Sequence, residues 1–297
     1  MGRITKQATN EEYLLLVETY REAGTSTKAA YRNNYIKLYN ALGEREIHTV
    51  SEKAIIEAIN LMDISNVNTR AAVLNIAIVV RRLDEYQLGV DLIITEREKL
   101  RSKIVENIKE KNDEMNLPSY KQLRDFLEKQ YDEHNYRSYI VNYLLLHFQV
   151  RNQDLIFDIV KLKKDMTDPT KNYMWYNLKT KTVLYVRNMY KTSKTYNTLK
   201  QEITDPKFIF CLREIKKLQD ADNDKGIIIK NTAAPAIYVM KYTLEGIGEG
   251  KYVKVVINHF KKDLSTLHQI SVNRGTSIKT LLTFYNIDLN NSTKEAL

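Results

Sequence analysis

A single cysteine, Cys211, stands among 297 residues. That count excludes an internal disulfide framework and a cysteine-based zinc site, and it fits a reducing compartment. Proline and glycine are also scarce, at four and nine residues. Such a chain has little material for long disordered linkers, collagen-like repeats or a turn-rich all-β design. No run of about 18 apolar residues occurs, so no transmembrane helix is expected. The start, Met1-Gly2-Arg3-Ile4-Thr5-Lys6, has no apolar stretch behind it and does not read as a secretory signal. Lys6 stands where a myristoylation site has a small hydroxyl residue. The five histidines show no metal-ligand spacing. The expectation is a soluble intracellular protein with no cofactor, no metal and no membrane partner.

What the chain has in quantity is apolar material, at 43 %, and positive charge, at a net +9, with a pI near 9.2. The first allows real cores. The second is what a polyphosphate partner selects, through release of its counterions; a solvated lysine-rich surface gives the same balance. Twenty tyrosines accompany it.

Periodicity predicts helices over 9–24, 26–42, a third opened by Ser51, and 67–86. The last is apolar around much of its girth (Val73, Leu74, Ile76, Val79, Val80, Leu83) and so is expected at the centre of a bundle. A strongly charged stretch follows to Glu114. Pro118 cannot continue a helix and Ser119 can cap the next. Two domains are therefore expected, 1–116 and 117–297. Helices over 120–132 and 135–150 lead to a change of character. Tyr173–Leu178 and Thr182–Met189 are aromatic and β-branched, with Lys179-Thr180-Lys181 between them, which is a hairpin signal. A third strand is placed at 196–203. Helices resume at 207–219, 234–245, 251–260, 263–273 and 277–285. The expected class is mostly α with a small antiparallel β-sheet, hence α+β.

Two motifs are set aside. Asp220–Gly226 resembles a calcium loop, but its glycine falls one place late and its twelfth position is Asn231, so it reads as a polar turn. Gly246-x-Gly248-x-Gly250 lacks the strand and helix that flank a phosphate loop and reads as a flexible connector. The hairpin region carries more. Lys179, Lys181, Lys191, Lys194 and Lys200 interleave with Tyr173, Tyr176, Tyr185, Tyr190 and Tyr196. Cations for phosphates beside rings for sugars make a nucleic-acid surface; a tyrosine-rich sheet with solvated lysines is the plain alternative.

Four features in order resemble the tyrosine recombinase, or phage integrase, family. An apolar helix runs into Gln149-Val150-Arg151-Asn152-Gln153-Asp154-Leu155. This is similar to the family's Gly-x-Arg-x-x-Glu-Leu, with Arg151 on the first catalytic arginine, Asp154 in the acidic place and Gln149 where glycine is usual. Tyr190-Lys191-Thr192-Ser193-Lys194 is similar to the β-hairpin lysine motif, with Lys191 the better match. Arg274-Gly275-Thr276-Ser277-Ile278-Lys279-Thr280 leads to Tyr285, in the register of the family's nucleophile, with Thr276 in the place of histidine or tryptophan. Lys251-Tyr252-Val253-Lys254 stands where the family has His-x-x-Arg, and here the chain departs sharply.

The resemblance implies a helical core-binding domain (1–116) and a tyrosine-recombinase-like catalytic domain (117–297), together a C-shaped clamp on duplex DNA, as in divergent members from large DNA viruses or mobile elements. It implies DNA recombination or integration through a 3′-phosphotyrosine, without cofactor. Tyr285 would attack the phosphate, Arg151 and Lys254 would hold it, and Lys191 would protonate the leaving 5′-oxygen. Lys251, Arg274 and Thr276 are auxiliary candidates; Lys179, Lys181 and Lys194 would bind DNA. A lysine for a bidentate arginine is not conservative, and losing such a donor costs about 2–4 kcal/mol. The resemblance thus also admits a catalytically degenerate relative serving as an architectural DNA-binding protein. The expected partner is double-stranded DNA, with self-association on it as a dimer or tetramer a further expectation. The expected place is wherever DNA lies: nucleus, nucleoid or viral factory. An unrelated helical protein-interaction module is the reading that uses none of these motifs.

Overall fold

The computed structural model describes residues 10–113, 115–190, 193, 197–221 and 235–285. It divides into two compact units, 1–110 and 111–297. The division falls inside a helix, six residues before the boundary read from Pro118.

The first unit is helical. Asn10 accepts from the Tyr13 amide at 3.0 Å and opens α1 (Glu11–Thr19). The cap is one residue later than the expected Thr9, which lies outside the described residues. Helix α2 (Thr25–Ala41) buries Tyr35, Ile36 and Leu38, and Gly43, at φ +69°, closes it in the left-handed region that glycine reaches freely. Ser51 caps α3 (Glu52–Leu61) by accepting from the Ala54 amide. Helix α4 (Val67–Arg81) buries Val73, Leu74, Ile76, Ala77, Ile78 and Val80, so it takes the central place its girth predicts. It stops five residues short of the expected end. Arg81 turns inward instead and donates to the Gly89 and Val50 carbonyls at 2.9 and 2.6 Å. The charged stretch is a helix, α5 (Asp91–Asp113), whose first amides, Leu92 and Ile93, donate to the Glu52 carboxylate.

One carboxylate organises this unit. Glu12 has no solvent exposure. It accepts from Tyr35 Oη at 2.8 Å and from the Ile47 and His48 amides at 3.0 and 2.7 Å, and it pairs with His48 Nδ1 at 2.8 Å. A buried charge persists only with such compensation.

The second unit is a small sheet among helices. Ser119 and Gln122 form a reciprocal capping box at the head of α6 (Tyr120–Asp132). Helix α7 (Tyr136–His147) is buried almost all round, through Tyr139, Ile140, Val141, Leu144, Leu145 and Leu146. The sheet order is β1 (Phe157–Val160), β2 (Asn172–Asn177), β3 (Thr182–Arg187), β4 (Leu199–Ile203). The antiparallel part, β2–β3–β4, is the expected one, pairing Tyr173 with Val186 and Val183 with Ile203. β1 adds a parallel edge, with Phe157 against Asn172, so the sheet is mixed. Helices α8 (Pro206–Ala221), α9 (Pro235–Met240), α10 (Glu249–His259), α11 (Leu264–Arg274) and α12 (Ile278–Tyr285) follow. The class is α+β and mostly helical.

Candidate functional site

The chain leaves the buried end of α7 through a strained residue. Gln149 has φ +45°, in the region that favours glycine. Its side chain compensates: Nε2 donates to the Leu146 carbonyl at 2.6 Å, and Oε1 accepts from Asn273 at 3.3 Å. A short 3-10 turn, Asn152–Leu155, then sets Arg151 at its head.

Asp154 fixes that turn. Its Oδ2 accepts from the Arg151 amide at 3.0 Å and from Arg187 Nη1 at 3.2 Å. Asp154 and Arg187 have 1 % and 0 % exposure. Burial raises the Asp154 pKa, against the lowering pull of Arg187. Arg187 also donates to the Asn273 carbonyl at 2.8 Å and to Gln201 at 3.1 Å, and its guanidinium lies over the rings of Tyr185 and Tyr190. Tyr185 Oη donates to the Asp154 carbonyl at 2.6 Å. Turn, sheet and the end of α11 are thus locked by one buried network.

Arg274 ends α11, and Gly275, at φ +55°, turns the chain into α12. Three segments meet here. Arg151 Nη2 donates to the Arg274 carbonyl at 3.0 Å. Arg274 Nη1 donates to the Gln149 carbonyl at 2.9 Å. Arg274 Nη2 donates both to Glu249 Oε1 at 2.6 Å and to Tyr285 Oη at 3.3 Å. The Arg274 guanidinium lies 5.3 Å from the Tyr285 ring centre. Glu249 Oε2 accepts from the Asn152 amide at 3.0 Å. Burial, then the Arg274 charge beside it, lowers the Arg151 pKa. Arg151 stays half-buried and opens on a cleft of about 510 Å³ that Lys171, Asn172, Met189 and Tyr190 also line.

The structure therefore brings together Arg151, Arg274 and Tyr285 of the residues read from sequence. Arg274, an auxiliary candidate there, is 2 % exposed and paired within the chain. Lys254 is half-buried on α10, and burial followed by the charge of Lys251 lowers its pKa. One amide links it to the site: Asn258 Nδ2 donates to the Lys254 carbonyl at 2.7 Å and to the Tyr285 carbonyl at 3.3 Å. Lys251 is exposed and Thr276 half-buried. Lys179 and Lys181 are exposed in the β2–β3 turn. Lys191 and Lys194 lie outside the described residues.

Two residues of the cluster escape the sequence reading. Arg187 continues the inward alternation of Val183 and Tyr185 on β3, so the period-2 rule marks it as a buried cation. Glu249 sits inside the Gly246-x-Gly248-x-Gly250 stretch, where a connector was expected; it opens α10 instead. Among the described residues no cluster of histidine, cysteine or carboxylates could hold a metal ion.

No protein-family model matches the chain, and no curated protein matches it. Among solved structures it is similar to the crystal structure of XerA recombinase, at 11 % identity and a TM-score of 0.37, over 95 % of each chain.

Proposed function

We propose that the chain cuts and rejoins duplex DNA through a phosphotyrosine at Tyr285. The observation that carries this reading is the meeting of Tyr285 Oη with the Arg274 guanidinium, next to Arg151, from segments far apart in sequence. A phenol in contact with one fixed guanidinium and near a second suits attack on a phosphodiester. The guanidinium charge favours the charge that gathers on phosphate oxygens as the phenol attacks.

In the proposed reaction the Tyr285 oxygen forms a bond to phosphorus and the bond from phosphorus to the 5′-oxygen breaks. The phenolic proton leaves with solvent or a basic group. The 5′-oxygen takes a proton, with Lys191 as the proposed donor. Rejoining reverses both bond changes with the same or a new 5′-hydroxyl, so no cofactor is consumed. Lys179 and Lys181, in the exposed turn, are proposed to meet the DNA backbone.

A second reading keeps DNA binding and drops the chemistry: an architectural relative with a degenerate site. The engagement of both terminal nitrogens of Arg274 within the chain favours it.

A nicked suicide duplex separates the two, because the short cleaved end diffuses away and cannot be rejoined. Random or genomic duplex pools serve as substrate. The expected result is a covalent protein–DNA adduct on a denaturing gel, absent in Tyr285→Phe, while salt-dependent binding survives. Binding without an adduct on a confirmed cognate site supports the architectural reading. No salt-dependent duplex binding sinks both.

A further inference from the structure

Glu249 is the anion of this site. Its Oε1 and the Tyr285 hydroxyl oxygen are held by the same nitrogen, Arg274 Nη2. Its other oxygen is on the Asn152 amide, one residue from Arg151. A phosphate presented to Tyr285 has to come within about 3–3.5 Å of that hydroxyl oxygen, and it would seek the same guanidinium, that of Arg274. The place beside the nucleophile is taken by a carboxylate.

The surroundings are consistent with a removable occupant. Arg274 Nε and Asn152 Oδ1 are buried and lack a hydrogen-bond partner among the described residues. Most buried polar atoms find a partner, and these two are left over where Glu249 meets Arg274. Glu249 stands between Gly248 and Gly250, and a Cβ at either glycine would meet nothing within 4 Å. Steric fit does not demand these glycines, and in a helix end they loosen the backbone that carries the carboxylate.

We propose that Glu249 holds the place of the scissile phosphate in the DNA-free protein and must leave the arginine before Tyr285 can be used. This rests on the reading of Tyr285 as nucleophile. It makes Glu249 a built-in competitor: the phosphate has to exchange with it, and the arginines stay charge-compensated until DNA arrives. The carboxylate then bears on both affinity and the order of events, since cutting follows displacement.

The test uses the full chain and compares Glu249→Gln with the unaltered protein and with Glu245→Gln, an exposed carboxylate in the same segment. That last variant gives the long-range effect of losing one negative charge. Random duplex pools are titrated at several salt concentrations. Glu249→Gln is expected to bind about tenfold tighter, the worth of one charge-assisted contact. Its slope of log affinity against log salt should steepen by about 1, as one more phosphate is neutralised. Glu245→Gln should show a small fraction of either change. In DNA-free protein, phenylglyoxal labelling mapped by mass spectrometry should rise at Arg274 in Glu249→Gln. A merely structural carboxylate would give weaker binding, a lower melting temperature and no such pattern.

If Glu249→Gln fails to fold, Glu249→Asp keeps the compensating charge and withdraws it from Tyr285. It should still bind tighter. Folded variants that bind no tighter than Glu245→Gln overturn the proposal even when the unaltered protein forms its Tyr285-dependent adduct. An unaltered protein that binds no duplex overturns the underlying reading and this proposal with it.

Discussion

Each of the two units buries charge, and they do so in opposite ways. In the first, Glu12 receives Tyr35, two backbone amides and His48, and both of its oxygens are answered. In the second, the Asp154–Arg187 pair and Arg274 are linked by many bonds, yet Asp154 Oδ1, Arg187 Nε, Arg274 Nε and Asn152 Oδ1 are left unmatched among the described residues, against Asn10 Nδ2 and Arg97 Nε in the first unit. A buried polar group without a partner costs about 1–3 kcal/mol. The difference teaches that a buried charge can be met at both oxygens, as in Glu12, or sit in a network that leaves several donors and acceptors over, as around Arg274.

The largest effect is expected where a joint in the second unit is cut on one side only. Arg187→Met leaves Asp154 as an uncompensated buried charge and should cost about 3–5 kcal/mol in denaturant unfolding. Adding Asp154→Leu should recover part of that loss. A single variant that loses under about 1 kcal/mol would show the pair to be idle. The next effect should fall on the first unit. Glu12→Ala strands the Ile47 and His48 amides and leaves the Tyr35 hydroxyl to Asn10 Oδ1 alone, for a loss of about 3 kcal/mol. Hydrogen exchange should quicken in α2 and α4 and stay unchanged in α7. Equal quickening in both units would break the contrast between them. The smallest change in stability belongs to Lys179→Ala with Lys181→Ala. These are exposed turn residues, so unfolding should move by under about 0.5 kcal/mol. The slope of log affinity against log salt should nonetheless fall by about 2. An unchanged slope would remove the β2–β3 turn from the proposed DNA surface.

Much of the helical framework could be read directly. Ser51 and Ser119 start helices because a hydroxyl before an apolar stripe answers a free amide. The girth of α4 foretold its depth. What could not be read depends on partners distant in sequence. β1 is four residues long, and its parallel partner arrives only after an intervening segment; four residues give too little alternation to stand out. The inward turn of Arg81 at the end of α4 depends on the Val50 carbonyl, 31 residues away. The site divides along the same line. Arg151 and Tyr285 stand in recognisable motifs, but their meeting through Arg274 spans 123 and 11 residues. Glu249 has no local signature, because a glutamate between glycines says nothing until its target is known.

The helix that carries Tyr285 has eight residues, and Leu281 is its buried one. Leu282 and Phe284 are 39 % and 37 % exposed. Helix α7, which leads to Arg151, is buried on nearly every side. In terms of protection against exchange, these are the two extremes of a stability ladder. Amides of α7 are expected to exchange only when the whole unit opens, while those of α12 are held by Leu281, the Asn258 bond and the Arg274 contact among the described residues. Tyr285, the proposed nucleophile, thus rides on a helix with far less buried surface than α7, and its amides are expected to exchange well before those of α7.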